Sequence, residues 1–307
     1  PTIYALPARG LLRSMDGGAT WAHVPVRGRT AQPPVLNGLA FSPQSATTLY
    51  VCGDAIAGGI VWKTVDGGLN WTNVSQGLPT QANRRCEQIE VYGANVYAQI
   101  SSGPHTDIEL WKSANGGQSW TRLSVTPRLV AISPSNPAQM YYSMAYNVYR
   151  SQNEGATFAI AGQVRAPSVG GLNGVNTVAV HPTNPNELLA SMTGSNGSQN
   201  GIFRSTNGGA SWVRVREGNN IGVRYNSTNP TEAWAGDCCG NISVYRTTTG
   251  GNSWFEVKLT EGTRTVSFSS GPMMHSMPGS IQTILGATRQ GLYKSENCGT
   301  VWQRLGT

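Results

Sequence analysis

Acidic residues outside any repeated pattern are the natural candidates for catalysis in this 307-residue chain. Glycoside hydrolysis, for example, needs two carboxyl groups about 5 to 9.5 Å apart. Three of the five aspartates, Asp54, Asp107 and Asp237, stand in segments that we expect to connect second and third β-strands of a repeating unit. Asp54 and Asp107 belong to consecutive units and are weak candidates for a catalytic pair, although an aspartate that starts a β-turn is the commoner role.

Arginines form a second candidate group, because seven of them stand in the connections between one unit and the next. Such connections meet at one face if the units close into a ring, and a positive funnel there would suit carboxylate, sulfate or phosphate groups. Separately solvated arginines are the alternative interpretation. The candidate ligand-binding residues are Arg27, Arg29, Arg84, Arg85, Arg128, Arg165 and Arg264.

Metal and thiol chemistry have little support in the sequence. The four histidines show no ligand spacing, and Cys238-Cys239 is not a Cys-x-x-Cys pattern, so we predict no metal and no cofactor. The five cysteines are odd in number, which leaves at least one outside any internal disulfide. Cys52 and Cys86 are a plausible structural bridge, and Cys238 and Cys239 either form a vicinal disulfide or pair with Cys298.

A nine-residue repeat organises the whole chain. Its closing aromatic residues are 50, 49, 38, 54, 42 and 48 residues apart, close to the length of one four-stranded propeller blade. The seven copies are RSMDGGATW (13–21), KTVDGGLNW (63–71), KSANGGQSW (112–120), RSQNEGATF (150–158), RSTNGGASW (204–212), RTTTGGNSW (246–254) and KSENCGTVW (294–302).

The chemistry of the repeat explains its residue types. An Asp or Asn side chain can fold onto nearby backbone N–H groups, the glycines supply the positive φ of a hairpin, and the final aromatic ring can pack between neighbouring sheets. A Lys or Arg opens each copy, so seven of the 22 basic residues have one structural position. The net charge of +7 therefore does not indicate a nucleic-acid partner. The predicted structural residues are Asp16, Trp21, Asp66, Trp71, Asn115, Trp120, Asn153, Phe158, Asn207, Trp212, Trp254, Asn297 and Trp302.

These segments resemble the Asp box, or BNR repeat, which closes the hairpin between the third and fourth strands of a propeller blade. The resemblance implies an all-β, seven-bladed β-propeller with one Asp box per blade and a single domain over 1–307. The blades are expected at about 1–30, 31–80, 81–126, 127–165, 166–218, 219–261 and 262–307.

The first blade is expected to lack its innermost strand, which leaves 27 strands instead of 28. The absent strand would lie upstream of Pro1, come from a partner or not exist, and an open edge would invite strand donation or self-association. Short apolar runs such as LNGLAFS (36–42) and TVSFSS (265–270) are predicted innermost strands of later blades.

The stretch from His181 to Trp212 is similar to the propellers of family 74 glycoside hydrolases (xyloglucanases) and of sortilin-type receptors. Our leading hypothesis is a non-catalytic, exported binding or assembly scaffold for a protein or glycan partner, including an anionic one. A xyloglucanase-type hydrolase, or a fragment of one, is one alternative. Another is an intracellular assembly factor of the photosystem II type, because those factors carry an arginine patch on a propeller face.

Location is predicted from weak signals. The sequence contains no stretch of about 18 apolar residues, so we predict no membrane-spanning helix. The first residue is Pro1 and five Asn-x-Ser/Thr sequons occur, which favours an extracellular, periplasmic or cell-surface protein.

Overall fold

The computed structural model describes residues 2–7, 10–26, 35–56, 59–81, 83–101, 108–126, 129–164, 174–193, 200–237, 244–258, 260–261, 264–265, 274–276, 284–288, 291–296 and 301–306. These residues contain strands and no helix, and therefore no helix long and apolar enough to cross a membrane. The strands are β1 (Ile3–Ala5), β2 (Leu11–Ser14), β3 (Ala22–Val24), β4 (Leu36–Ser42), β5 (Ser45–Ile56), β6 (Gly59–Thr64), β7 (Thr72–Asn73), β8 (Arg85–Tyr92), β9 (Asn95–Ser101), β10 (Ile108–Ser113), β11 (Thr121–Thr126), β12 (Ala131–Ile132), β13 (Met140–Met144), β14 (Asn147–Ser151), β15 (Ala159–Gln163), β16 (Gly174–Val180), β17 (Leu188–Thr193), β18 (Gly201–Ser205), β19 (Val213–Glu217), β20 (Asn220–Tyr225), β21 (Ala233–Asp237), β22 (Val244–Thr247), β23 (Phe255–Val257), β24 (Thr260–Glu261), β25 (Arg264–Thr265), β26 (Met274–Ser276), β27 (Ile284–Thr288), β28 (Gly291–Ser295) and β29 (Gln303–Leu305).

Antiparallel meanders account for all of these strands except the separate pair β24–β25. We number them in chain order: meander 1 (β1–β3), meander 2 (β4–β7), meander 3 (β8–β11), meander 4 (β12–β15), meander 5 (β16–β19), meander 6 (β20–β23) and meander 7 (β26–β29). Meander 1 has three strands in the described part of the chain and the others have four, while meanders 2 and 3 join into one eight-stranded sheet. In every meander the last strand is an outer strand that ends its sheet.

One predicted strand is corrected. The innermost strand of meander 7 is β26, which pairs with β27, and not TVSFSS (265–270). Thr265 instead ends β25 and pairs with β24, and residues 266–270 lie outside the described residues. Between β26 and β27 lie seven residues, 277–283. A strand ending at residue 270 would have required a longer connection to β27, and long connections are less common.

Two compact units divide the chain, one comprising 1–130 with residue 306 and the other comprising 131–305 with residue 307. In the first unit, Leu11 of meander 1 shares a buried apolar cluster with Val51 and Trp62 of meander 2. In the second unit, Val148 of meander 4 shares one with Leu188 of meander 5. Burial of apolar side chains between successive sheets is therefore the main favourable contribution within each unit.

In meanders 1 to 6 the repeat forms the turn between the last two strands, and we call this turn the box hairpin. In meander 7, residues 297–300 of the repeat lie outside the described residues. In the first box hairpin, Gly18 N donates to Ser14 Oγ (2.7 Å) and Thr20 N donates to Asp16 Oδ1 (2.9 Å). Gly17 and Gly18 have φ values of 76° and 102°, which glycine adopts without steric cost. The same two bonds recur in the box hairpins that begin at Thr64, Ser113, Ser151, Ser205 and Thr247.

Closing aromatic rings complete the box hairpins. The indole Nε1 of Trp21 donates to Gly18 O (3.0 Å), and Trp71, Trp212 and Trp254 bond the equivalent glycine in their own hairpins. Trp120 instead donates to Val74 O of meander 2 (2.8 Å). Asn297 lies outside the described residues, whereas Phe158 is half-buried and Trp302 is buried.

The aspartates of the box hairpins have lowered pKa values because they accept hydrogen bonds as carboxylates. The Asn70 backbone N–H and the Thr64 hydroxyl lower the pKa of Asp66 from 3.8 to about 2. The Thr20 hydroxyl and backbone N–H lower the pKa of Asp16 as well. A lowered pKa in the folded state stabilises the fold above the unfolded pKa, and this contribution is lost as the pH falls towards the folded value.

We predict that Asp66→Asn makes the thermal unfolding temperature less dependent on pH between about 4 and about 2. Asn115 occupies the same hairpin position and makes the same backbone bond, so the turn should remain intact. Scanning calorimetry of the wild type and the variant across this range measures the difference. Parallel pH profiles for the two proteins would contradict the prediction.

Candidate functional site

Three of the bases that open the box hairpins have structural partners in the next meander. Arg13 Nη1 donates to Gly67 O (2.7 Å), Lys63 Nζ donates to Gly116 O (3.3 Å), and Arg204 Nε donates to Gly250 O (3.0 Å). In each case the acceptor is the first glycine of the following box hairpin. These bases therefore connect neighbouring sheets within each unit. The repeat predicted a structural position for them.

In meanders 4, 5 and 6, the turn between the first and second strands supplies a partner for the base that opens the box hairpin. In meanders 5 and 6 the partner is a carboxylate, with Arg204 Nη2 donating to Glu187 Oε2 (3.1 Å) and Arg246 Nε donating to Glu232 Oε1. Glu232 is fully buried, and its other oxygen accepts a bond from Asn226 Nδ2 (2.8 Å).

Meander 4 differs, because its partner is neutral. Arg150 Nη2 donates to Gln139 Oε1 (2.8 Å) and to Asn186 Oδ1 (3.1 Å), while its buried Nε has no hydrogen-bond partner. No carboxylate of the described chain forms an ion pair with Arg150. Among the bases that open the box hairpins of meanders 4, 5 and 6, Arg150 is therefore the one without a carboxylate partner in the described chain.

An open cleft of about 450 Å³ lies beside Arg150, between the box hairpins of meanders 4 and 5. One wall is the outer strand β15, and the other is the turn at 207–210. Its polar and apolar lining includes Arg150, Gln152, Thr157, Ile160, Asn207 and Ala210. None of the described lining residues is acidic, so the carboxyl pair that glycoside hydrolysis needs is not among them.

The predicted arginine funnel is described at two positions, and both carry ion pairs. Arg84 Nη1 lies 3.0 Å from Glu109 Oε1, and Arg85 Nε lies 3.4 Å from Asp54 Oδ1 and 3.5 Å from Glu87 Oε2. The positive charge of both arginines is therefore balanced locally. Five funnel positions lie outside the described residues, either wholly or, for Arg264 in β25, as a side chain: Arg27, Arg29, Arg128, Arg165 and Arg264.

Asp54 is not in a connection as predicted, because β5 continues through it to Ile56. Its backbone pairs with Arg85 of β8 and joins meanders 2 and 3 into one sheet. Asp237 likewise ends strand β21, with its side chain outside the described residues, and Asp107 lies outside them altogether. The structure thus does not bring Asp54 and Asp107 together as a described pair.

A disulfide lies next to this junction. Cys52 and Cys86 are bonded, with Cα atoms 5.6 Å apart, and both are fully buried. Cys238, Cys239 and Cys298 lie outside the described residues, so their pairing stays a prediction. The described residues contain no group of three or more side chains that could hold a metal ion.

Sequence reasoning missed Ile160 and Gln139. Ile160 is the second residue after its closing aromatic, and it is the one apolar residue at this position among the seven copies. A comparison of the copies at this position would have found it. A comparison of the turns Ser133–Gln139, His181–Glu187 and Asn226–Glu232 would have found the second. These signals are differences between copies of the repeat, whereas the repeat itself is recognised from what its copies share.

No family model matches the sequence, and no curated protein does. Among solved structures the chain is similar to YCF48 bound to a D1 peptide, with a TM-score of 0.59 and 17% identity over 88% of this chain and 82% of that chain. It is similar to an oligogalacturonate lyase in complex with manganese, with a TM-score of 0.65 and 10% identity over 94% of this chain and 82% of that chain. It is also similar to the GH74 xyloglucanase from Xanthomonas campestris, with a TM-score of 0.50 and 18% identity, covering 99% of this chain and 56% of that one.

These likenesses show a β-propeller fold, and at such low identity they show the fold alone. The chain spans little more than half the length of the xyloglucanase that it matches. The named proteins differ in function, and one fold can host unrelated activities.

We predict that Glu232→Ala lowers the free energy of unfolding by roughly 3 kcal/mol, because Arg246 then loses its buried carboxylate partner. Gln139→Ala is the matched control, since it removes a neutral acceptor at the equivalent position and should cost about 1 kcal/mol. Urea unfolding of both variants measures the difference. Equal destabilisation by the two substitutions would contradict the assigned role of the buried charge.

Proposed function

We propose that the protein is a seven-bladed Asp-box propeller that acts as a non-catalytic scaffold and binds a segment of a partner protein. The observation that carries the proposal is the cleft beside β15, which combines a cation without a counter-ion, an exposed apolar residue and no described carboxylate. Concave sites with a few convergent polar groups are the usual places for ligand binding. YCF48, which shares the fold, has been solved bound to a peptide.

Export is part of the proposal. The Cys52–Cys86 disulfide is fully buried and joins two meanders, and structural disulfides persist mainly in oxidising compartments. In such an oxidising compartment, the protein could still assist the assembly of a second protein. A glycan is the competing class of ligand. Binding measurements with peptides and with glycans distinguish the two classes.

A glycoside hydrolase is the second candidate, favoured by one observation. The carboxylates of Asp54 and Glu87 both lie within 3.5 Å of Arg85 Nε, so they belong to one cluster. The ion pairs argue for a structural role, because both carboxylates lie against the same guanidinium, that of Arg85, next to the strand pairing that joins meanders 2 and 3. We therefore assign this cluster to the junction between meanders 2 and 3.

We predict that the intact protein enriches specific peptides from a phage-displayed library of random seven-residue peptides and binds no member of a glycan array. Micromolar dissociation constants are expected for a short peptide at an open cleft. Fluorescence anisotropy with the synthesised peptides gives the affinities. Glycan binding without any enriched peptide would contradict the proposal.

We also predict that neither the wild type nor Asp54→Asn releases reducing sugar from xyloglucan or mixed-linkage glucan above the buffer blank. Asp54→Asn should instead lower the thermal unfolding temperature, because Arg85 loses an ionic partner at the sheet junction. Glu87→Gln is the matched control for the other carboxylate of the cluster. Sugar release by the wild type that Asp54→Asn abolishes would establish the hydrolase in place of the scaffold.

A further inference from the structure

Outer strands carry a polar residue at one shared register position, with a single exception. This position faces the large apolar residue that precedes the base of the box hairpin. Leu12 faces His23, Trp62 faces Asn73, Trp111 faces Arg122, Phe203 faces Arg214, Tyr245 faces Glu256 and Tyr293 faces Arg304. In meander 4, Tyr149 faces Ile160, whose side chain is 61% exposed.

Charges on edge strands oppose pairing with a foreign strand. Two described outer strands have five or more residues besides β15, and both are charged: β11 contains Arg122, and β19 contains Arg214, Arg216 and Glu217. The sequence of β15 is AIAGQ, without charge or proline. β15 is therefore the long outer strand without the usual protection against strand addition.

The cleft runs along this strand. Ala159, Ile160 and Ala161 line one side, and Asn207, Gly208 and Ala210 line the other. The floor is closely packed, because a side chain at Gly162 would lie 2.4 Å from Gly209 O and 2.7 Å from Ala210 O. An extended chain beside β15 would thus meet a second wall and not bare solvent.

Arg150 gives the cleft its chemical preference. Its counterparts Arg204 and Arg246 face Glu187 and Glu232, but Arg150 faces the neutral Gln139. Its Nε is buried without an acceptor, which is costly for a charged group. A carboxylate that enters the cleft can form the ion pair that the neutral Gln139 cannot.

We propose that β15 accepts an extended, acidic peptide strand from a partner protein. The backbone of the peptide continues the sheet of meander 4, an apolar side chain covers Ile160, and an Asp or Glu pairs with Arg150. Five residues of β15 correspond to about 17 Å of strand, so the peptide contributes roughly five residues. This inference rests on the proposed function and names the site and the class of ligand.

Three variants test it against peptides enriched by the intact wild type from the seven-residue phage library. Ile160→Arg introduces the residue that meanders 3, 5 and 7 carry naturally, so folding should persist, and we expect at least about a tenfold loss of affinity. Gln139→Glu restores the internal carboxylate of meanders 5 and 6, and we expect about a fivefold loss for acidic peptides. Val213→Arg is the matched control, since Val213 is 67% exposed on the outer strand β19 and should leave the affinity unchanged.

The peptides themselves provide a second control. Replacing each Asp or Glu by Asn or Gln should weaken binding to the wild type and abolish the difference between wild type and Gln139→Glu. Unchanged binding by Ile160→Arg would overturn the β15 site while peptide binding, and with it the proposed function, remained. Failure to enrich any peptide would overturn both.

Two further outcomes also count against the proposal. Equal affinity for acidic and amide peptides would overturn the role of Arg150. A wild-type dimer in sedimentation velocity that Ile160→Arg dissociates would identify a second copy of this chain, and not a partner peptide, as the occupant of the edge.

Discussion

The hydrogen bond from the base that opens one box hairpin to the glycine carbonyl of the next box hairpin is the interaction on which this architecture depends. Arg13 reaches Gly67, Lys63 reaches Gly116 and Arg204 reaches Gly250. The carbonyl is available only because the box hairpin has a fixed shape. That shape requires the Ser or Thr hydroxyl, the Asp or Asn cap and the positive φ of glycine. One short motif therefore shapes its own turn and also ties its sheet to the preceding one.

Carboxylate partners decide where positive charge is free to bind a ligand. Arg204 and Arg246 are neutralised by Glu187 and Glu232, and Arg84 and Arg85 are neutralised at the junction of meanders 2 and 3. Gln139 removes that neutralisation from Arg150. Meander 4 thus carries an amide, Gln139, where meanders 5 and 6 carry a glutamate. This difference makes the surroundings of Arg150 a candidate recognition site.

The β-propeller fold could be predicted from the sequence because its signal is local and repeated. LNGLAFS became β4, and the six described box hairpins lie between the last two strands of their meanders, since the turn chemistry of each copy requires no distant residue. The role of Asp54 could not be predicted in this way. Its partner Arg85 belongs to the next meander, and only the extension of β5 brings them together.

The candidate site was missed for a related reason. Ile160 and Gln139 are ordinary residues when considered alone, and they become informative only when strand register aligns them with Arg214 and Glu187. Register also explains the misplaced innermost strand of meander 7, because TVSFSS alternates as well as β26 does and only pairing with β27 distinguishes them.

Hydrogen–deuterium exchange of the intact protein, with and without a saturating enriched acidic peptide, tests the central claim most directly. Strand addition predicts slower exchange of backbone amides in residues 159–163, with no change in the equivalent outer strand at 213–217. Protection elsewhere with unchanged exchange at 159–163 would contradict it.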